Sequence, residues 1–299
     1  MIKRIKRIAV IGSGTMGQGI AQVCAAAGYT VLLYDIEAGL LRAAIARLRK
    51  NLDALVIKGK LTDQELKAIL GKITPVSDFR QLQVDMVIEA VIESMEVKQK
   101  IFQEIEKLND QDCILVTNTS SIPVTRIGAV LKHPGRFAGL HFFNPAPVMK
   151  LVEIIRGAAT AEATIQLLKD FSTQLNKQFV LAQDSPGFIV NRVARHFYLE
   201  ALKIAEEQVA DFKTIDTLLK STGFKMGPFE LMDLIGIDVN FSVTQSMYNS
   251  FHQEAKFRPS RIQQQKVDAG HLGRKTGLGF YTYGDEAGGK LEGGKVPKV

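Results

Sequence analysis

Four apolar residues, Ile8-Ala9-Val10-Ile11, stop at Gly12-Ser13-Gly14-Thr15-Met16-Gly17, and a 3.6-period segment follows over 16–27. A strand that gives way to a helix across so few residues commits the chain to a βα unit. The three glycines divide the work. Gly12 takes the tight turn, Gly14 lets backbone approach a pyrophosphate, and Gly17 lets helix pack on strand. Around Ser13, Thr15 and Met16 the helix start then offers unpaired N–H groups and a positive dipole end to phosphate. Asp35 ends the next strand-like run, 18 residues after Gly17. A carboxylate there can bind both ribose hydroxyls and repels a 2′-phosphate, so the predicted cofactor is NAD rather than NADP. The alternative, a glycine-rich turn that holds no nucleotide, leaves the strand, helix and acid unexplained.

The same alternation continues. Strand-like runs fall at 7–11, 30–34, 86–90, 113–117, 137–143 and 151–155, with helical spacing at 16–27, 40–55, 63–70 and 97–108. The pattern predicts an α/β chain with a Rossmann-type, doubly wound sheet. The connection between 137–143 and 151–155 is too short for a crossover helix, so those two strands should run antiparallel. Beyond about residue 185 strand signals nearly vanish, and helical spacing fills 192–206, 212–222, 239–251 and 261–269. The chain is therefore expected to comprise a nucleotide-binding domain over 1–185 and an all-helical C-terminal domain over 186–284, divided near Asp184-Ser185-Pro186-Gly187. The Gly- and Lys-rich stretch 285–299, whose charges cancel, reads as a disordered tail.

Composition excludes several classes. The chain has 299 residues, 46% of them hydrophobic and 23% charged, which rules out disordered and collagen-like chains. No membrane-spanning helix is expected. The net charge of +7 attracts anions. Nothing in the chain interleaves basic and aromatic residues as a nucleic-acid binder would, so a polyphosphorylated small molecule is the simpler partner. Cys24 and Cys113 share no metal-ligand spacing, which argues for reduced thiols, a cytoplasmic location and no metal.

Of five histidines, four sit in loops or helical patterns that give them no obvious task. His141 lies inside the run 137–143, and Glu153 lies inside 151–155. Antiparallel pairing could bring them onto one face, where the carboxylate would fix the imidazole tautomer and stabilise the imidazolium. Beside a dinucleotide fold such a pair can move a hydroxyl proton while hydride leaves the adjacent carbon; a structural salt bridge is the other reading. Asn118-Thr119-Ser120-Ser121 follows the run 113–117, at a strand's carboxyl end, where open α/β sheets bind ligands. These residues could equally cap a short helix.

Segments 8–19, 87–93, 118–121, 139–153 (GLHFFNPAPVMKLVE), 185–192 (SPGFIVNR), 226–231 (MGPFEL) and 273–281 (GRKTGLGFY) together resemble the 3-hydroxyacyl-CoA dehydrogenases, most closely the short bacterial 3-hydroxybutyryl-CoA type. The resemblance runs from residue 8 to about 283, and the run from His141 to Glu153 is its most specific part. It implies that His141 removes the 3-hydroxyl proton, that Glu153 orients it, and that Ser120 and Asn191 hydrogen-bond the reacting end of an acyl-CoA substrate. It also implies that Glu93, Lys98, Asn144 and Lys275 contact the cofactor, and that the protein is a homodimer. Arg47, Arg49, Lys50, Lys58 and Lys60 are available for CoA, with Lys50 the expected contact; a solvated basic helix face explains them as well. A 3-hydroxyadipyl-CoA substrate, a dehydrogenase of free hydroxy acids and a non-catalytic nucleotide-binding protein remain alternatives. The hydrophobic loop 145–149 disfavours free acids, which need a cationic clamp.

Overall fold

A computed structural model describes residues 5–284; the tail expected at 285–299 lies outside the described residues. In chain order the first part contains β1 (Arg7–Ile11), α1 (Thr15–Ala26), β2 (Thr30–Tyr34), α2 (Ala38–Ile57), α3 (Asp63–Gly71), β3 (Ile73–Val76), β4 (Met86–Glu89), α4 (Met95–Leu108), β5 (Ile114–Thr117), α5 (Val124–Gly128), β6 (Phe137–Phe142), β7 (Leu151–Arg156), α6 (Glu162–Gln174) and β8 (Gln178–Gln183). The second contains α7 (Val190–Glu206), α8 (Phe212–Ser221), α9 (Pro228–Ile235), α10 (Ile237–Ser250) and α11 (Arg261–Asp268). One compact unit ends at Phe188 and the other begins at Ile189.

The sheet of the first unit has the order β3-β2-β1-β4-β5-β6-β7-β8. Every pair from β3 through β6 is parallel, β6 and β7 are antiparallel as expected, and β8 runs parallel to β7. Strand order thus reverses at β1 and β4, the place where such sheets open a ligand crevice. Successive strand side chains alternate between two cores. Ile8 and Val10 join Ile20, Leu48 and Ile165 on the face covered by α1, α2 and α6. Ala9 and Ile11 join Phe102, Ile105 and Ile127 on the face covered by α4 and α5. Burial on both faces is what lets parallel strands be apolar throughout.

Three elements of this unit go beyond those expected from the sequence. β3 contains Pro75, which is tolerated because β3 is an edge strand with no ladder partner for the missing N–H. β8, the other edge, is an apolar run, Phe179-Val180-Leu181-Ala182, between two glutamines and is half-exposed, and α6 precedes it. Residues 8–34 carry no charged side chain, but they are divided among β1, α1 and β2; among the described residues no helix is long and apolar enough to cross a membrane.

The second unit is all-helical as expected, with α9 the addition to the predicted set. Tyr198, Leu202, Ile215, Phe229, Met232 and Phe280 form its core. Asp211 and Ser260 cap α8 and α11, accepting from the backbone N–H of Thr214 and Gln263 respectively.

Candidate active site

The glycine turn has the geometry that a dinucleotide needs. Gly12 sits at φ +101, and a Cβ there would lie 2.6 Å from the carbonyl oxygen of Ala90. A Cβ on Gly17 would collide with the carbonyl of Gly12, whereas one on Gly14 would meet nothing within 4 Å. The backbone is therefore open at the one glycine where phosphate should approach. α1 begins at Thr15 behind Gly14, with no side-chain cap, so its first N–H groups are left for an anion. Asp35 belongs to the same turn. Its Oδ2 accepts from the N–H and Oγ of Ser13 at 2.9 and 2.7 Å, and Oδ1 accepts from the Glu37 N–H at 3.2 Å. A capless helix start beside a positioned carboxylate fits NAD.

The sheet then gathers polar side chains toward the edge where its parallel strands end. Glu89 pairs in register with Thr117 across β4 and β5, and His141 pairs with Glu153 across β6 and β7. Neighbouring positions on these strands, Val87, Leu115 and Ile155, belong to the core beneath α4 and α5. By the two-residue period all four polar side chains face that side. The antiparallel register does for His141 and Glu153 what the sequence anticipates: His141 Nδ1 and Glu153 Oε2 lie 2.8 Å apart. His141 is 6% exposed and Glu153 is fully buried. With Nδ1–H donating to the carboxylate, Nε2 is the nitrogen left to take a proton. The rings of Phe143 and Phe188 lie 4.5 and 5.8 Å from the imidazole, centroid to centroid, and give it an apolar wall.

A second constellation gathers around Glu93. Its Oε1 accepts from the Thr119 hydroxyl at 2.6 Å, the Ser120 N–H at 2.9 Å and the Ser121 N–H at 3.1 Å, with the two serine hydroxyls at 3.3 and 3.1 Å. Its Oε2 faces the Lys98 ammonium at 3.2 Å. Burial opposes ionisation, but Lys98 and the donors from Thr119 and Ser120 hold the carboxyl below the usual carboxylate range. Lys98 itself is 1% exposed and bonds Glu89 at 2.7 Å. Expected as a cofactor contact, it lies between the carboxylates of Glu89 and Glu93.

The loop between β6 and β7 starts at exposed Asn144, which precedes a cis peptide bond to Pro145. Buried Lys177 donates from Nζ to the carbonyls of Ala146 and Met149, both at 2.6 Å, and Gly19 of α1 leaves room for Ala146 and Pro147. The loop is thereby tied to the phosphate-facing helix. Lys50, with Arg47, Arg49, Lys58 and Lys60, is exposed on or just after α2. In the second unit, Asn191 is half-buried in the first turn of α7. Lys275 forms an ion pair with Asp238, 2.6 Å to each carboxylate oxygen.

Sequence reasoning passed over Glu89, Thr117, Phe188 and Lys177. For Glu89 a signal exists: an acid closes the otherwise apolar strand Met86-Val87-Ile88. Asp184, noted only as part of a boundary, accepts from the N–H groups of Val124 and Thr125 at 2.9 and 2.7 Å and so caps α5.

Comparison with known proteins agrees with this geometry. The family described as 3-hydroxyacyl-CoA dehydrogenase, NAD binding domain, matches residues 7–185, and its C-terminal domain counterpart matches 187–283. The 3-hydroxyadipyl-CoA dehydrogenase of Escherichia coli K12 is 50% identical over 285 residues, which are 95% of this chain and 60% of that protein. The 3-hydroxybutyryl-CoA dehydrogenase of Bradyrhizobium diazoefficiens is 41% identical over 281 residues, 93% of this chain and 96% of that one. A crystal structure of 3-hydroxybutyryl-CoA dehydrogenase from Escherichia coli K12 matches with a TM-score of 0.92 at 49% identity, over 95% of this chain and 61% of that one. The chain thus spans about 60% of the length of the Escherichia coli relative and of the Escherichia coli crystal structure, and nearly all of the Bradyrhizobium protein. By both of its domains, this chain belongs to the 3-hydroxyacyl-CoA dehydrogenase family.

Proposed function

We propose that the chain interconverts (3S)-3-hydroxyacyl-CoA and 3-oxoacyl-CoA thioesters, with His141 as the general base in oxidation and general acid in reduction. NAD, when bound, supplies the hydride acceptor. The observation that carries this reading is the buried His141–Glu153 contact of 2.8 Å at the sheet's carboxyl end. Glu153 fixes the proton on Nδ1, so Nε2 receives the 3-hydroxyl proton in one direction and returns it in the other. The imidazolium formed on the way is stabilised by the adjacent carboxylate. Phe143 and Phe188 keep water from competing for that nitrogen. Ser120 and Asn191 are the proposed hydrogen-bond partners of the substrate's oxygen. Asp35, Ser13 and the glycine turn hold the nucleotide, helped by Glu93, Asn144 and Lys275, and Lys50 is the proposed CoA contact. A short acyl chain, 3-hydroxybutyryl, is the first assignment. A 3-hydroxyadipyl chain is the second, favoured by the 50% identical relative of that name.

A homodimer is also proposed. It is supported by large apolar side chains exposed on the second unit, among them Val193, Leu218, Phe224 and Val239. A cytoplasmic location is supported by the two buried cysteines, Cys24 and Cys113.

Steady-state oxidation of NADH with acetoacetyl-CoA, a 3-oxoadipyl thioester and free acetoacetate tests the reading. Turnover of a thioester but not of the free acid is expected. General acid–base help is worth about 10²–10⁴ in rate, so His141→Ala should lose at least about 10²-fold in kcat while still binding NADH. Wild-type turnover in that variant would remove His141 from the mechanism.

A further inference from the structure

We infer that Glu89 is a positioning residue, acting through Lys98 and Glu93 on the turn that carries Ser120. The inference rests on the proposed role of Ser120 at the substrate, but the chain of contacts stands by itself. Glu89 ends β4 with its side chain wholly buried. Oε1 accepts from the Val91 N–H at 2.8 Å and from Lys98 Nζ at 2.7 Å, and Oε2 accepts from the Thr117 hydroxyl at 2.7 Å. Lys98 passes the constraint to Glu93 Oε2, and Glu93 Oε1 collects five donors from Thr119, Ser120 and Ser121. Side-chain exposure rises along this line from 0% at Glu89 to 1% at Lys98 and 35% at Glu93. A single row of charge therefore runs from the core to the rim.

Two features separate this row from an ordinary buried ion pair. A buried ion pair is weak evidence for stability, because desolvation offsets most of the attraction. Here the ammonium is shared by two carboxylates, and only the outer one reaches the surface. The row also has two feet on the sheet. Thr117 lies opposite Glu89 in the β4–β5 register and is followed directly by Asn118-Thr119-Ser120. Asn118 Oδ1 in turn accepts from the N–H of Phe142, next to His141, at 2.8 Å. Glu89 thus bears on the Ser120 turn from below, through Thr117, and from the side, through Lys98. Without Glu89 the ammonium has one carboxylate left and is free to draw Glu93 inward, away from the serine N–H groups. A displacement of about 1 Å at a reacting centre can cost about 10²-fold in rate.

Glu89→Gln tests this with little change in shape. The amide oxygen still accepts from Val91, and the Thr117 hydroxyl can turn to accept from the amide nitrogen. Peptide-resolved hydrogen exchange should show the Ser120 and Ser121 N–H groups exchanging at least about tenfold faster, with β1, β6 and β7 unchanged. With acetoacetyl-CoA and NADH, kcat should fall about 10- to 100-fold while KM moves less. The double variant Glu89→Gln/Lys98→Met leaves no ammonium to draw Glu93 inward, so its exchange at 119–122 should fall back toward the wild-type rate. Unchanged exchange at 119–122 in Glu89→Gln overturns the inference whatever kcat does, and faster exchange spread over the whole first unit overturns it as well. If the wild-type protein turns over no 3-oxoacyl-CoA thioester, the proposed activity fails, while the exchange measurement still decides the role of Glu89.

Discussion

The two units keep most of their buried charge in different ways. In the first, Lys98 lies between Glu89 and Glu93, Arg136 meets Glu106 at 3.2 Å, and the His141 ring faces the Glu153 carboxylate, with Lys177, held by the carbonyls of Ala146 and Met149, the exception. In the second, three buried ions face dipoles, while Glu230 pairs with Lys220 at 2.6 Å. Asp233 accepts from the N–H groups of Phe280 and Tyr281 and from the Tyr283 hydroxyl, at 2.9–3.0 Å. Asp216 does the same for Phe229, Glu230 and Tyr281. Arg195 donates to the Asn240 carbonyl and to the Thr244 hydroxyl, with burial pushing its guanidinium down to about 10. The difference follows from what each unit must do. A pair that includes an imidazole can shift a proton, as chemistry at a sheet edge requires, whereas the carboxylates of Asp216 and Asp233, each bonded to two backbone N–H groups and a tyrosine hydroxyl, hold chain segments together.

The largest test of that contrast is Asp233→Ala. It strands two buried N–H groups and a hydroxyl, each costing about 1–3 kcal/mol, so a loss of at least about 3 kcal/mol is expected. Peptide-resolved exchange in moderate urea should show α9 and the 273–283 segment losing protection while β1–β5 keep theirs. Equal loss in both units would erase the distinction. Glu153→Gln asks the converse question in the first unit. The shape is kept but the imidazolium loses its counter-charge, so kcat should fall about 10- to 100-fold, equivalent to about 1.4–2.7 kcal/mol. Thermal stability should change little. A lower melting temperature with kcat intact would make the pair a brace of the second unit's kind.

How far these roles can be read from sequence depends on how local their causes are. The glycine turn and Asp35 are legible because their constraints lie within one βα unit. His141 and Glu153 are legible because a short connection forces an antiparallel register, and alternation does the rest. The burial of Lys98 is not, since it comes from Glu89 on β4 and from a turn after β5, both invisible in the spacing of α4. The edge strand β3 escapes because it carries a proline, as edges tolerate, whereas β8 has a signal that sequence reasoning passed over, the apolar run Phe179-Val180-Leu181-Ala182. The segment Gly273-Arg274-Lys275-Thr276-Gly277-Leu278-Gly279-Phe280-Tyr281 is legible as a family motif but not in its physical purpose. Gly273 lies at φ +94, and a Cβ on Gly279 would collide with the Asp233 carboxylate. The glycines let this strap close over that acid.

Acid offers the gentlest way to sharpen the comparison. The carboxyls of Glu93 and Glu106 lie below their ordinary 4.5: burial opposes this, but Lys98 and the donors around Glu93, and the Lys132 and His133 N–H groups with Arg136 around Glu106, prevail. Depressed acids contribute stability above the ordinary value and lose it as pH falls through the folded one. Burial instead raises Asp216 and Asp233 above their ordinary 3.8, against their hydrogen bonds. The folded state then binds the proton more tightly than the unfolded chain, so these two withdraw stability at neutral pH and return it as pH falls through their raised values. Asp211 and Asp238 are depressed and pull the other way, so the reading belongs to α9 and 273–283 alone. Between pH 7 and a pH about one unit below 4.5, hydrogen exchange in moderate urea, corrected for the intrinsic pH dependence, should show α4 and the 118–121 turn losing protection relative to α9. The shift should be smaller than that of either substitution. An unchanged order of protection at the two pH values would mean that ion pairs and dipole-held carboxylates respond to acid alike, and the contrast between the units would then be one of geometry only.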